Sequence, residues 1–142
     1  AAGVGVQLLA AVVLAPINQI ADLDESAQDV GRTVERASGV GLVLLVLGVV
    51  VLAPVVEELL FRGALLRALQ RKWSAPVAVF VSAALFAGIH VVGDPGSYPY
   101  LPAWAILGLV SGYQAVRTGD LARSVLLHMG FNLVGAVTLI LL

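Results

Sequence analysis

Apolar residues run along this chain in blocks of membrane-spanning length, and short polar clusters set where each block ends. Ala1 to Ile20 carries no charge and, although Gln7, Asn18 and Gln19 make its ends polar, it is long enough to cross a bilayer as a helix. Asp22 to Arg36 comes next, with five acids against two bases, and reads as a solvated loop or short surface helix. Gly39 to Val56 is an 18-residue uncharged run rich in Val and Leu. Its helix is expected to continue through Glu57 and Arg62 to about Arg71, with Pro54 kinking it one turn before the acids. Ser74 to Val92 predicts the next helix and ends at the turn residues Asp94-Pro95-Gly96-Ser97. Tyr98 to Val116 is again uncharged, Arg117 to Asp120 makes a turn, and Leu121 to Leu142 is the last block. The pattern predicts an all-α, polytopic transmembrane helical bundle with about five spanning helices.

Composition sharpens this picture. Of the 142 residues, 60% are hydrophobic and 12% charged, whereas a soluble domain of this size is about a quarter charged and could not hide such runs in one core. The formal charge of -1 gives no electrostatic basis for a nucleic-acid partner, so the expected surroundings are lipid, in a multi-pass protein of a prokaryotic cell membrane. The absence of cysteine removes disulfides and thiolate metal sites. The chain opens Ala1-Ala2-Gly3 without methionine and is read as one membrane-embedded domain over 1–142, a piece of a longer protein. The first block lacks a basic leader and an Ala-x-Ala cleavage pattern, so a span is preferred to a signal peptide. Trp73 on one side, and Tyr98, Tyr100 and Trp104 on the other, fit aromatic belts. Small residues, among them Gly48, Ala83, Gly108 and Gly112, suit close helix contacts in lipid.

The chemistry lies where the apolar pattern is broken. Glu57, Glu58 and Arg62 interrupt an otherwise apolar segment, and each unpaired charge near the bilayer centre costs roughly 2.5–3.5 kcal/mol. On a helix Glu58 and Arg62 stand at i and i+4, acid first, and form an internal ion pair. Glu57 projects about 100° away, so its partner must come from another helix. Counting from a hairpin turn near Lys72 to Ser74 places Glu57 and His90 at the same depth, about 24 Å from the turn. The same count puts Asn132 about 18 Å and His128 about 12 Å along the last helix, on one face and roughly level with the other two. No His-Glu-x-x-His pair, Gly-x-Ser-Gly nucleophile or second intramembrane aspartate is present. Carboxylate and imidazole chemistry remains. A glutamate beside an imidazole can take a proton from water and pass it to a leaving amine while other donors hold the oxyanion. Alternatively Glu57, His90 and His128 are an acceptable zinc or other divalent-metal ligand set with an open position.

Three segments, Glu57-Glu58-Leu59-Leu60-Phe61-Arg62, Phe86-Ala87-Gly88-Ile89-His90 and His128-Met129-Gly130-Phe131-Asn132, resemble the EExxxR, FxxxH and HxxxN signature of the CPBP intramembrane endopeptidases, the CAAX protease and bacteriocin-processing family. The resemblance runs over 52–135. It implies an intramembrane endopeptidase acting on a membrane-associated peptide or protein, lipid-modified in the eukaryotic members, which remove the last three residues of prenylated CAAX proteins. It further implies that Glu57 and His90 activate the water, that His128 and Asn132 stabilise the oxyanion, and that Glu58 and Arg62 support the site. A glutamate mechanism without a metal cofactor is preferred to the metalloprotease alternative. Two non-peptidase readings stay open: a scaffold or bacteriocin-immunity protein that keeps the polar cluster for packing, and a proton-coupled transporter using Glu57 and His90 as a relay.

Overall fold

The computed structural model describes residues 36–141, so the first predicted span and the acidic segment after it lie outside the described residues. Within them four helices succeed one another: α1 (Val40–Gln70), α2 (Ala75–Gly93), α3 (Leu101–Thr118) and α4 (Leu121–Leu141), with a 3-10 turn, Pro95–Tyr100, leading into α3. The all-α class expected from the sequence holds, and the described residues contain no strand. α1, α2 and the Leu121–Thr138 part of α4 are long and apolar enough to cross a membrane, which makes this an integral membrane chain. The fourth predicted span is not one of them. α3 has just 18 residues, and Tyr113, Gln114, Arg117 and Thr118 make its last turns polar.

α1 is continuous through Pro54, and the residues around that proline depart from regular α-helix. Two π-helical turns, Gly48–Leu52 and Leu59–Leu65, bracket the six-residue α-helical stretch Ala53–Glu58 that carries the paired acids. In such turns N–H groups reach back five residues, as Ala53 N–H does to Gly48 O. Helix ends are set by local chemistry. Asp94 accepts from Gly96 N–H at the start of the 3-10 turn, and Gly119, with φ of 69°, supplies the left-handed residue that stops α3.

α3 is the inner helix. Ala103, Leu107, Gly108, Ser111 and Gly112 are all buried along it, and the Gly108 and Gly112 pair has the GxxxG spacing that lets backbones meet. A Cβ added at Gly108 would lie 3.0 Å from both Cα and Cβ of Ala83, so α2 and α3 touch backbone to backbone there. Phe61, Phe86, Ala103, Leu107, Leu127 and Phe131 form the buried apolar cluster, with contributions from all four helices.

Arg62 sits within that cluster, its side chain fully buried. Its Nη1 pairs with Glu58 Oε1 at 3.2 Å, as the i, i+4 spacing predicts, and its Nη2 donates to Gly108 O at 3.1 Å. Cζ stands 4.5 Å over the Phe86 ring. The guanidinium thus draws a counter-charge from α1, a ring face from α2 and a hydrogen bond from α3, while Nε and Nη1 have no hydrogen-bond acceptor.

This packing makes two demands that stability measurements can check. Gly108→Ala should destabilise the protein by about 1–3 kcal/mol, since the backbone of Ala83 must yield, whereas Gly88→Ala should be tolerated because nothing lies within 4 Å of its added Cβ. Arg62→Ala leaves Glu58 without its cation and should cost about 3–5 kcal/mol. Thermal midpoints of the variants in detergent test both.

Candidate active site

The two adjacent acids of α1 meet different environments because successive residues of a helix point about 100° apart. Glu58 turns inward and is completely buried. Its Oε1 is shared by Arg62 Nη1 and His128 Nδ1, the latter at 3.1 Å. An ionised carboxylate can only accept, so Nδ1 of His128 carries the hydrogen and Nε2 is left to face the opposite way. It faces Glu57: His128 Nε2 stands 3.7 Å from Glu57 Oε2.

His90, one turn beyond Phe86 on α2, repeats this arrangement. Its Nδ1 is 2.8 Å from Phe86 O, a carbonyl that can only accept, so the hydrogen again sits on Nδ1. Its Nε2 is 3.9 Å from the same Glu57 Oε2. Glu57 Oε2 itself is buried and has no hydrogen-bond partner. One carboxylate oxygen therefore lies between two imidazole nitrogens whose tautomers are set from behind. Both separations are longer than a direct hydrogen bond.

Aromatic rings hold the imidazoles in place. Phe86, with no exposed surface, meets His128 edge to face at 5.5 Å between centroids, lies 4.7 Å from His90 and carries Arg62 on its face. Trp104 covers the other side of His90 at 4.6 Å with an interplanar angle of 31°. This role is not legible in the sequence, where Trp104 falls in with the aromatic belt. The available signal is its spacing: Trp104 precedes Gly108 by one helical turn, and Gly108 O already holds Arg62.

Glu57, Glu58, Arg62, His90 and His128, five of the six residues singled out in the sequence, form one connected cluster. The straight-helix count separates His128 from His90 by about 12 Å along the membrane normal. In the structure both rings reach the same oxygen of Glu57. A common rise per residue along parallel axes cannot represent crossing helices, π turns or side chains several ångströms long. Asn132, one turn beyond His128, directs Nδ2 to Val49 O of α1 at 2.9 Å.

The donor set has the right elements for zinc, and each imidazole has the outer acceptor on Nδ1 that ligating histidines usually possess. The spacing is looser than a zinc cage. Two donors of a tetrahedral zinc lie roughly 3.3–3.5 Å apart, less than either separation here. Among the described residues no group of three or more His, Asp or Glu side chains is arranged to hold a metal ion.

Known proteins give this geometry a context. The family model described as type II CAAX prenyl endopeptidase Rce1-like matches residues 39–134, a stretch that includes every site residue named above. An uncharacterized 24.3 kDa protein of Escherichia coli is 30% identical over 99 residues, which is 66% of this chain and 43% of that protein. The chain thus spans less than half the length of this curated relative. No solved structure matches it. With the match extending over most of the chain and through all three motifs, the protein belongs to the Rce1-like type II CAAX prenyl endopeptidase family.

Proposed function

We propose that this chain carries the catalytic centre of an intramembrane endopeptidase that cleaves a peptide bond in a membrane-associated peptide or protein, using water activated by Glu57 and His90. The supporting observation is the unpaired, buried Glu57 Oε2 set 3.9 Å from Nε2 of a histidine whose Nδ1 is committed to a backbone carbonyl. A water between those two atoms meets two acceptors, so it can give up a proton as its oxygen attacks the scissile carbonyl carbon. The C–N bond then breaks, and the same proton passes to the departing amine, leaving a carboxylic acid and an amine as products.

His128 lies on the other side of Glu57, with Glu58 behind it. When its second nitrogen is also protonated, Nε2–H is a donor held at a fixed angle by the Glu58 bond and the Phe86 edge, suited to a developing oxyanion. Glu58 is matched by Arg62, while Glu57 faces the two imidazoles. The reaction as drawn needs no metal. C-terminally processed, lipid-modified peptides of the CAAX type, or a bacterial counterpart, are the first substrates to test.

Glu57→Gln keeps the shape of the side chain and removes its proton-accepting charge, so it should lower peptidase turnover by about 10²-fold or more while the thermal midpoint stays near wild type. Cleavage of a fluorogenic membrane peptide by the purified protein reads this, and undiminished turnover in the variant would remove Glu57 from the chemistry. Activity should also persist after exhaustive chelation. A metal-dependent loss of activity, reversed by adding zinc back, would instead assign Glu57, His90 and His128 to a metal centre.

A further inference from the structure

Pro54 creates a specific deficit in α1. Ala53 N–H reaches back five residues to Gly48 O and so bypasses Val49 O, and the next N–H, that of residue 54, would serve Val49 O in the π register or Val50 O in the α register that begins here. Proline has none. The hydrogen bond that Val49 O does receive comes from another helix, from Asn132 Nδ2 at 2.9 Å.

The two ends of this bond are informatively placed. Pro54 lies three residues before Glu57 in the short α-helical stretch between the π turns, and Asn132 stands one turn after His128 on α4. A link from Asn132 to the carbonyl that Pro54 leaves without a backbone donor therefore fixes the segment bearing Glu57 against the helix bearing His128. We infer that Asn132 is a positioning residue: it stands in for the backbone N–H that Pro54 lacks and so sets the spacing between Glu57 Oε2 and the two imidazoles. This differs from the oxyanion role that the family resemblance suggests for Asn132, in which its amide would touch the reacting atoms. The inference concerns the same site as the proposed peptidase, and its catalytic consequence rests on that reading.

The proline allows the two roles to be separated. Asn132→Ala removes the donor, and Pro54→Ala restores a backbone N–H to α1 without touching Asn132. The test compares thermal midpoint, kcat and KM of the wild type, both single variants and the double variant, all as full chains in detergent or nanodiscs. Asn132→Ala is expected to lower the midpoint and to reduce kcat about 10- to 100-fold with little change in KM, as a small misplacement of reacting groups does. Adding Pro54→Ala should return the midpoint toward wild type and recover most of the lost kcat.

A double variant with a midpoint no higher than that of Asn132→Ala would overturn the backbone link. A restored midpoint with kcat still at the Asn132→Ala level would overturn the positioning role and place the amide at the oxyanion. Failure of the peptidase reading looks different, because the wild type itself would then be inactive. The midpoints need no turnover and would still decide whether Asn132 replaces the missing donor.

Discussion

A guanidinium with no exposed surface is the constraint around which this bundle is arranged. An arginine cannot be neutralised at ordinary pH, so burying Arg62 against Phe61 and Phe86 obliges the neighbouring helices to supply compensating groups at defined points. Glu58 gives the counter-charge from the same helix, Gly108 a carbonyl from α3, and Phe86 a ring face from α2. Each of these has a second role. Glu58 sets the tautomer of His128, Gly108 lets α2 and α3 meet through its missing side chain, and Phe86 packs against both imidazoles. The charge and the candidate site are consequently one network, in which Glu57 is the acid left facing the two imidazoles.

How much of this the sequence discloses depends on the range of the forces involved. Spans are a property of local composition, so the blocks corresponding to α1, α2 and α4 can be read directly. The Glu58–Arg62 pair is a matter of helical spacing alone. The approach of Glu57 to His90 derives from a hairpin in which two antiparallel helices share one turn, and there a count of residues suffices. His128 sits on a helix that is not the hairpin partner of α1, and residue counting fails because it contains no crossing angle. The π turns have no residue signature, so neither their positions nor the partner of Asn132 can be inferred. The contact of Trp104 with His90 escapes the sequence for a related reason, since a tryptophan near a helix start fits an interface belt as well as it fits a stack on an imidazole.

The 100° between successive helical residues separates the two glutamates, and the π turns set the direction in which the pair is aimed. Each turn takes in more residues than an α turn and shifts the angular phase of the residues after it. Placed before and after Ala53–Glu58, they let this segment choose its own rotation while the flanking parts of α1 keep theirs. Glu58 can then face the bundle interior and Glu57 the half-open space between His90 and His128.

The division of Arg62's partners among helices also has a consequence for how the chain is made. Its carboxylate arrives with α1, but the aromatic face is on α2 and the carbonyl on α3, while His128 reaches Glu58 only from α4. α1 entering lipid ahead of α2, α3 and α4 would carry two acids and a base with one internal pairing, an expensive state for a segment otherwise suited to the bilayer. Synthesis and insertion are thereby coupled: α1 reaches its final environment only once α2, α3 and α4 have been delivered beside it.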